Sequence, residues 1–122
     1  MASEGLHEER DKLSVETQDR HRAIVSLMEE LEAVDWYQQR VDATDDDELK
    51  AILAHNRDEE IEHAAMVLEW LRRRVPKFDE ELSTYLNAPG AIVDAEEAAT
   101  GGEDEGGKAA GDGSLGIGSL KR

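Results

Sequence analysis

The chain has 122 residues, of which 39% are hydrophobic and 36% are charged, and its formal net charge is −16. This acidity argues against nucleic-acid binding, because phosphate backbones are bound by clustered Lys and Arg. The sequence has no cysteine, which excludes disulfides and thiolate metal sites, and no apolar run approaches the roughly 20 residues of a membrane span.

The first predicted element is a long amphipathic helix that follows a charged N-terminal segment. Residues 1–13 are expected to be flexible, and they lack the basic and apolar regions of a secretory signal, which favours a cytoplasmic protein. Ser14 is suited to cap a helix that continues to about Val41. The apolar residues of this helix recur at helical spacing, namely Ile24, Leu27, Met28, Leu31 and Val34.

A second helix is predicted to run antiparallel to the first. Residues 42–46 interrupt the apolar pattern, and this segment is short enough to force an antiparallel return. Thr44 or Asp45 could cap the second helix. The helix is expected to end at the three arginines of positions 72–74, where cations meet the negative end of the helix dipole.

The C-terminal third of the chain is predicted to change from helix to tail. Pro76 suits the first position of a short third helix, which is expected to stop before Pro89. Residues 90–112 are mainly Ala, Gly and acidic residues and are expected to form a flexible linker. The expected fold class is therefore all-α, with a two-helix antiparallel hairpin and a short third helix within residues 14–89, followed by a disordered tail.

Polar residues interrupt the apolar stripe of the second helix. The stripe contains six apolar residues, namely Leu49, Ile52, Leu53, Val67, Trp70 and Leu71. Asn56, Glu60 and His63 fall inside it, and a buried carboxylate needs a compensating partner. Glu60 and His63 are three residues apart on one face, the spacing with which ferritin-like bundles hold iron or manganese. A buried Glu–His hydrogen bond explains this helix equally well.

Glu30 on the first helix supplies a third candidate ligand. Antiparallel pairing about the loop near residue 44 places position 30 opposite positions 58–60, although Glu30 could also be a simple boundary residue. One chain then offers half of a four-helix di-iron site, and a two-fold dimer forming a ferritin-like four-helix bundle would complete it. The dimer would also cover the apolar stripe, and ligation rich in carboxylates suits iron rather than zinc.

The two long helices resemble those of the encapsulated ferritins. The resemblance rests on residues 20–37, which read RHRAIVSLMEELEAVDWY, and on residues 51–66, which read AILAHNRDEEIEHAAM. It implies a ferroxidase that oxidises Fe(II) to Fe(III) at an intersubunit centre with two Fe per subunit pair. The ligands would be Glu30, Glu60 and His63.

The resemblance also implies roles for residues around the centre. Tyr37 matches a catalytic tyrosine close to the iron, and Trp36 matches a residue that lines the site. Glu29 and Glu32 match carboxylates that bind metal where iron would enter, and His55 has a counterpart with a weaker role. From the sequence alone, Glu29 and Glu32 are surface residues, and His55 lies on a solvated helix flank.

The resemblance extends to residues 113–122, which it identifies as a targeting peptide that docks into an encapsulin shell. Leu115, Ile117 and Leu120 would supply alternating apolar contacts, and the glycines between them allow close approach to a groove. Without the resemblance, a frayed tail is the simpler interpretation. The family forms annular decamers inside an encapsulin nanocompartment in the cytoplasm, where it serves iron storage and detoxification.

Two other functions compete with the ferroxidase. A non-catalytic helical adaptor could use buried polar residues to fix the register of its oligomer. A rubrerythrin-like peroxide reductase is less favoured, because the chain has no cysteines for a rubredoxin centre.

Overall fold

Helices make up the regular structure of the described part of the chain. The structure, a computed structural model, describes residues 5–105 and the side chains of residues 5–100. The described helices are a 3₁₀ turn at Arg10–Lys12, α1 at Val15–Ala43, α2 at Asp47–Arg74, α3 at Pro76–Tyr85 and α4 at Ile92–Glu105. The all-α fold class is therefore confirmed. None of the described helices is long and apolar enough to cross a membrane, and the targeting segment 113–122 lies outside the described residues.

Ser14 caps α1 as the sequence predicts. Its hydroxyl oxygen accepts a hydrogen bond of 3.0 Å from the backbone amide of Thr17, which satisfies one of the amides left free at the start of the helix. Just before this cap, the segment that the sequence predicts to be flexible contains the short 3₁₀ turn Arg10–Lys12. This turn is fastened to α1, because Arg10 donates a hydrogen bond of 3.2 Å to the side-chain carbonyl of Gln18.

Asp46 caps α2, and the prediction of Thr44 or Asp45 is wrong by one or two residues. The Oδ1 atom of Asp46 accepts a hydrogen bond of 2.8 Å from the backbone amide of Leu49. Thr44 instead shapes the turn, since its hydroxyl accepts a bond of 3.2 Å from the backbone amide of Asp46. All three side chains are cap formers, so composition alone does not separate them.

Helices α1 and α2 form the predicted antiparallel hairpin. Arg57 of α2 contacts Gln38 of α1, and His63 contacts Glu30. Residues later in α2 therefore contact residues earlier in α1, as in an antiparallel pair. Farther from the turn, Ala23 and Ser26 line the same depression as Val67. This pairing brings the middle of α1 to the middle of α2, where the candidate ligands lie.

The chain divides into two units, Met1–Leu71 and Arg72–Arg122. In the second unit, Pro76 occupies the first turn of α3 as predicted, where its missing amide proton is not needed. Asn87, two residues after the end of α3, has a φ of 61°. This left-handed backbone conformation is common just beyond the C-terminus of a helix. Helix α3 then packs against α4.

Helix α4 contradicts the prediction of a flexible linker from residue 90. It spans Ile92–Glu105, within residues expected to be unstructured because of their Ala, Gly and acidic composition. Ala has the highest helix propensity of any residue and Glu is also favourable, so this composition permits a helix where a packing partner exists. Ala99 is 2% exposed, which shows that α4 buries part of its surface.

Candidate metal centre

Three polar side chains converge at the middle of the hairpin. Glu30 projects from α1, and Glu60 and His63 project from α2, one helical turn apart. One ligand atom from each residue lies within 4.8 Å of the other two. The sequence predicts this trio from the position of Glu60 and His63 in the apolar stripe and from the antiparallel pairing.

The imidazole of His63 lies between the two carboxyl groups. Its Nδ1 atom is 3.4 Å from Oε1 of Glu60 and 3.8 Å from Oε1 of Glu30. The side chains of Glu30 and Glu60 are 26% and 24% exposed, whereas that of His63 is 41% exposed. The trio is therefore half-buried and open on one side.

Glu30 and Glu60 lie close enough to form a hydrogen bond with each other. A hydrogen bond to Glu60 raises the pKa of Glu30 above its usual 4.5, and desolvation by burial raises it further. The negative charges of Glu60 and Glu29 act in the same direction, and His63 opposes them. Two carboxyl groups this close compete to remain ionised, and a cation between them would remove that conflict.

The distances between the ligand atoms suit a small divalent cation after small movements of the side chains. Metal–oxygen and metal–nitrogen bonds of about 2.1 Å place neighbouring ligand atoms roughly 3 to 3.5 Å apart. The distances around Nδ1 of His63 lie at or just above this range. Two carboxylates and one imidazole form a donor set that can hold a divalent transition metal such as iron or manganese. The three residues could supply three ligands from one chain.

Glu59 contacts the trio from the outer side, although the sequence predicts only a solvated flank there. Its Oε1 atom is 4.0 Å from Nε2 of His63, and its Oε2 atom is 4.0 Å from Nε2 of His55. The side chain of Glu59 is 49% exposed. The sequence does contain a sign of these contacts. His55 precedes Glu59 by four residues and His63 follows it by four, and residues four apart are neighbours on a helix surface.

The other residues of α1 singled out in the sequence lie before and after Glu30 along the helix. Tyr37 is half-buried about two turns beyond Glu30, and the guanidinium of Arg40 lies 5.3 Å from the centre of its ring. Trp36 is 48% exposed. Glu29 and Glu32 are exposed on either side of Glu30, so the fold does not bring them into the trio.

A hydrogen bond joins the two helices between the trio and the hairpin turn, and no sequence pattern predicts it. Arg57 donates from Nη1 to Oε1 of Gln38 over 2.8 Å. The side chain of Arg57 is only 25% exposed. Both residues have long polar side chains that are usually solvated, so nothing in the sequence marks them as partners.

Comparison with known proteins gives consistent results over most of the chain. The family described as EncFtn-like matches residues 5–89. An encapsulated ferritin-like protein of Rhodospirillum rubrum is 64% identical over 127 aligned positions, covering 99% of this chain and 91% of the relative. A ferritin-like protein of Thermotoga maritima is 50% identical, covering 93% of this chain and 96% of the relative.

The chain is also similar to part of a further relative and to a protein of known structure. The encapsulin nanocompartment cargo protein EncC of Myxococcus xanthus is 43% identical over 53 residues, covering 43% of this chain and 41% of the relative. A crystal structure of a Nitrosomonas europaea protein is 65% identical with a TM-score of 0.70, covering 72% of this chain and 97% of that chain. The solved fold therefore supports the helical body described above.

Proposed function

The chain belongs to the EncFtn-like family of encapsulated ferritin-like proteins, and from this premise we propose that it is a ferroxidase. Its substrate would be Fe(II), which loses one electron to dioxygen and becomes Fe(III). The observation that carries the proposal is the convergence of Glu30, Glu60 and His63 within 4.8 Å. A set of two carboxylates and one imidazole is the half-site expected of a ferritin-like di-iron centre.

Two copies of the chain would complete the site. Three ligands per chain leave coordination positions that a second trio, related by two-fold symmetry, can fill with three more. The hairpin also leaves apolar surface uncovered, since none of the residues of α1 is fully buried. Leu31, Leu49 and Ile52 are 54%, 45% and 52% exposed. Pairing two hairpins into a four-helix bundle would bury such surface, and a larger ring such as a decamer would repeat this unit.

Each ligand has a separate part in the proposed reaction. Glu60 would bridge the two ions, since it lies close to both His63 and Glu30. Glu30 and His63 would each bind one ion from the side. Because the pKa of Glu30 is raised, Fe(II) would have to displace a proton from Glu30 at acidic pH before this carboxylate could bind. The iron pair supplies the redox chemistry, and the protein supplies positions and charge.

Residues next to the ligands would assist at longer range. Tyr37 would donate a hydrogen bond near the iron, and Trp36 would line the approach to the site. Glu29 and Glu32 would concentrate Fe(II) before it enters, because exposed carboxylates raise the local concentration of cations. His55 would contribute weakly through its contact with Glu59.

The protein would work as cargo of an encapsulin shell. One relative is named as an encapsulin nanocompartment cargo protein and another as an encapsulated ferritin-like protein. Residues 113–122 would dock Leu115, Ile117 and Leu120 into an apolar groove of the shell. Inside the nanocompartment, the ferroxidase would deliver Fe(III) for storage and so protect the cell from free Fe(II).

A comparison of two variants tests the proposal. Glu60→Ala removes the bridging ligand and should lower the rate of Fe(II) oxidation by more than about tenfold, together with the iron content. Glu48→Ala removes an exposed carboxylate about three turns away on α2 and should leave both unchanged. Oxidation is followed by absorbance and iron content by elemental analysis. Full activity in Glu60→Ala would favour the competing adaptor function.

A further inference from the structure

Arg57 and Gln38 form a polar clamp between the two helices that carry the metal ligands. We propose that this clamp positions Glu30 relative to Glu60 and His63 and thereby sets the metal affinity of the site. The inference rests on the proposed function, because it assigns the clamp to the same metal centre. Neither residue is a candidate ligand.

The clamp is held in place from both ends. Arg57 donates to Oε1 of Gln38 over 2.8 Å, and its guanidinium also lies 2.9 Å from Oδ1 of Asp58. Gln38 in turn donates from Nε2 to Oδ1 of Asp42 over 3.0 Å. The amide of Gln38 therefore has a fixed orientation, with its carbonyl toward α2 and its NH₂ group along α1.

The location of the clamp relates it to the ligands. Arg57 precedes Glu60 by three residues, or about 4.5 Å along the axis of α2. Gln38 follows Glu30 by eight residues, so the clamp lies between the hairpin turn and the metal centre. With 25% of its side chain exposed, Arg57 is shielded enough for its hydrogen bonds to resist competition from water.

Metal ligation is sensitive to small shifts of one helix along the other. A slide of one residue moves a ligand by about 1.5 Å, whereas metal–ligand distances tolerate only about 0.2 Å. Hydrophobic attraction between helices is non-directional, so it does not by itself select one position of a helix along its neighbour. A directional hydrogen bond between the helices restrains this slide.

The test uses four variants and Co(II) as a spectroscopic probe. Gln38→Met keeps the length of the side chain and removes the acceptor, Arg57→Met removes the donor, and a double variant combines them. Gln39→Met is the matched control, because Gln39 donates only along α1, to Asp35 over 3.1 Å. Co(II) is titrated without oxygen while its visible absorption reports affinity and ligand geometry, and sedimentation confirms the same oligomeric state for each variant.

Each single clamp variant should weaken Co(II) binding by about tenfold and change the shape of the Co(II) spectrum. The double variant should be no weaker than either single variant, because both changes break the same bond. Gln39→Met should match the wild type. The proposed role of the clamp is refuted if Gln38→Met binds Co(II) as the wild type does. It is also refuted if the losses of Co(II) affinity in the two single variants multiply in the double variant. A wild-type protein that binds no Co(II) would refute the metal centre itself.

Discussion

At the scale of single residues, Glu60 alters the acidity of Glu30. The hydrogen bond between them raises the pKa of Glu30 above its usual 4.5. In most helices such an arrangement would be a source of instability. A cation bound between the two carboxylates would offset the repulsion between their charges.

Glu30→Gln should change how the stability of the metal-free protein depends on pH. A raised pKa means that the folded state binds more protons than the unfolded state, so the wild type should lose stability as pH rises from 4.5 toward the raised value. The amide in Glu30→Gln donates to Glu60 without needing that proton, so this fall should be absent. Thermal unfolding across a pH series provides the measurement. Glu32→Gln is the control and should follow the wild type, and parallel curves for Glu30→Gln and the wild type would contradict the raised pKa of Glu30.

Helix ends are the features that the sequence resolves least well. Asp46 rather than Thr44 or Asp45 caps α2, because the choice among adjacent cap formers depends on the backbone path of the turn. The sequence places Ser14 and Pro76 correctly because each stands alone as a start signal.

Asp46→Ala should destabilise the protein by about 1 kcal/mol, since it leaves the backbone amide of Leu49 without its cap. Asp45→Ala removes the same charge one residue earlier and should change the free energy of unfolding far less. Urea unfolding of the metal-free protein measures both. Equal losses in the two variants would mean that charge at the helix start, rather than the cap, stabilises α2.

Amphipathic periodicity and ligand spacing predict the hairpin and the trio, but they do not predict α4 or the clamp. The hairpin and trio follow from patterns repeated over many residues, and Glu60 is conspicuous because a carboxylate rarely lies in an apolar stripe. Helix α4 has no such pattern and depends on packing, as the burial of Ala99 shows. The Arg57–Gln38 bond depends on side-chain conformations across two helices, which no local sequence pattern specifies.

At the scale of the whole molecule, chemistry and targeting are expected to be separable. The candidate ligands all lie in α1 and α2, whereas residues 113–122 contain none of them. A catalytic body joined to a short docking segment allows many copies to attach to one shell, since each tether places its segment at a high local concentration.

Deletion of residues 113–122 should therefore abolish co-purification with a co-expressed encapsulin shell and leave ferroxidase activity unchanged. Changing Leu115, Ile117 and Leu120 together to Ser should have the same effect, because apolar contacts would supply most of the affinity. Pull-down of the shell followed by quantification of cargo gives the result. Normal loading of the shortened chain would place the docking information in the helical body.

Two copies of the chain are proposed to share one metal site, and mass measurement of the intact protein with and without Fe(II) tests this sharing most directly. Metal that binds only the associated state stabilises that state. Adding Fe(II) without oxygen to dilute protein should therefore increase the fraction of dimers and larger assemblies, with two iron ions for each pair of chains. His63→Ala should show neither change. A monomer that holds iron on its own, with the same mass distribution before and after metal addition, would contradict the account.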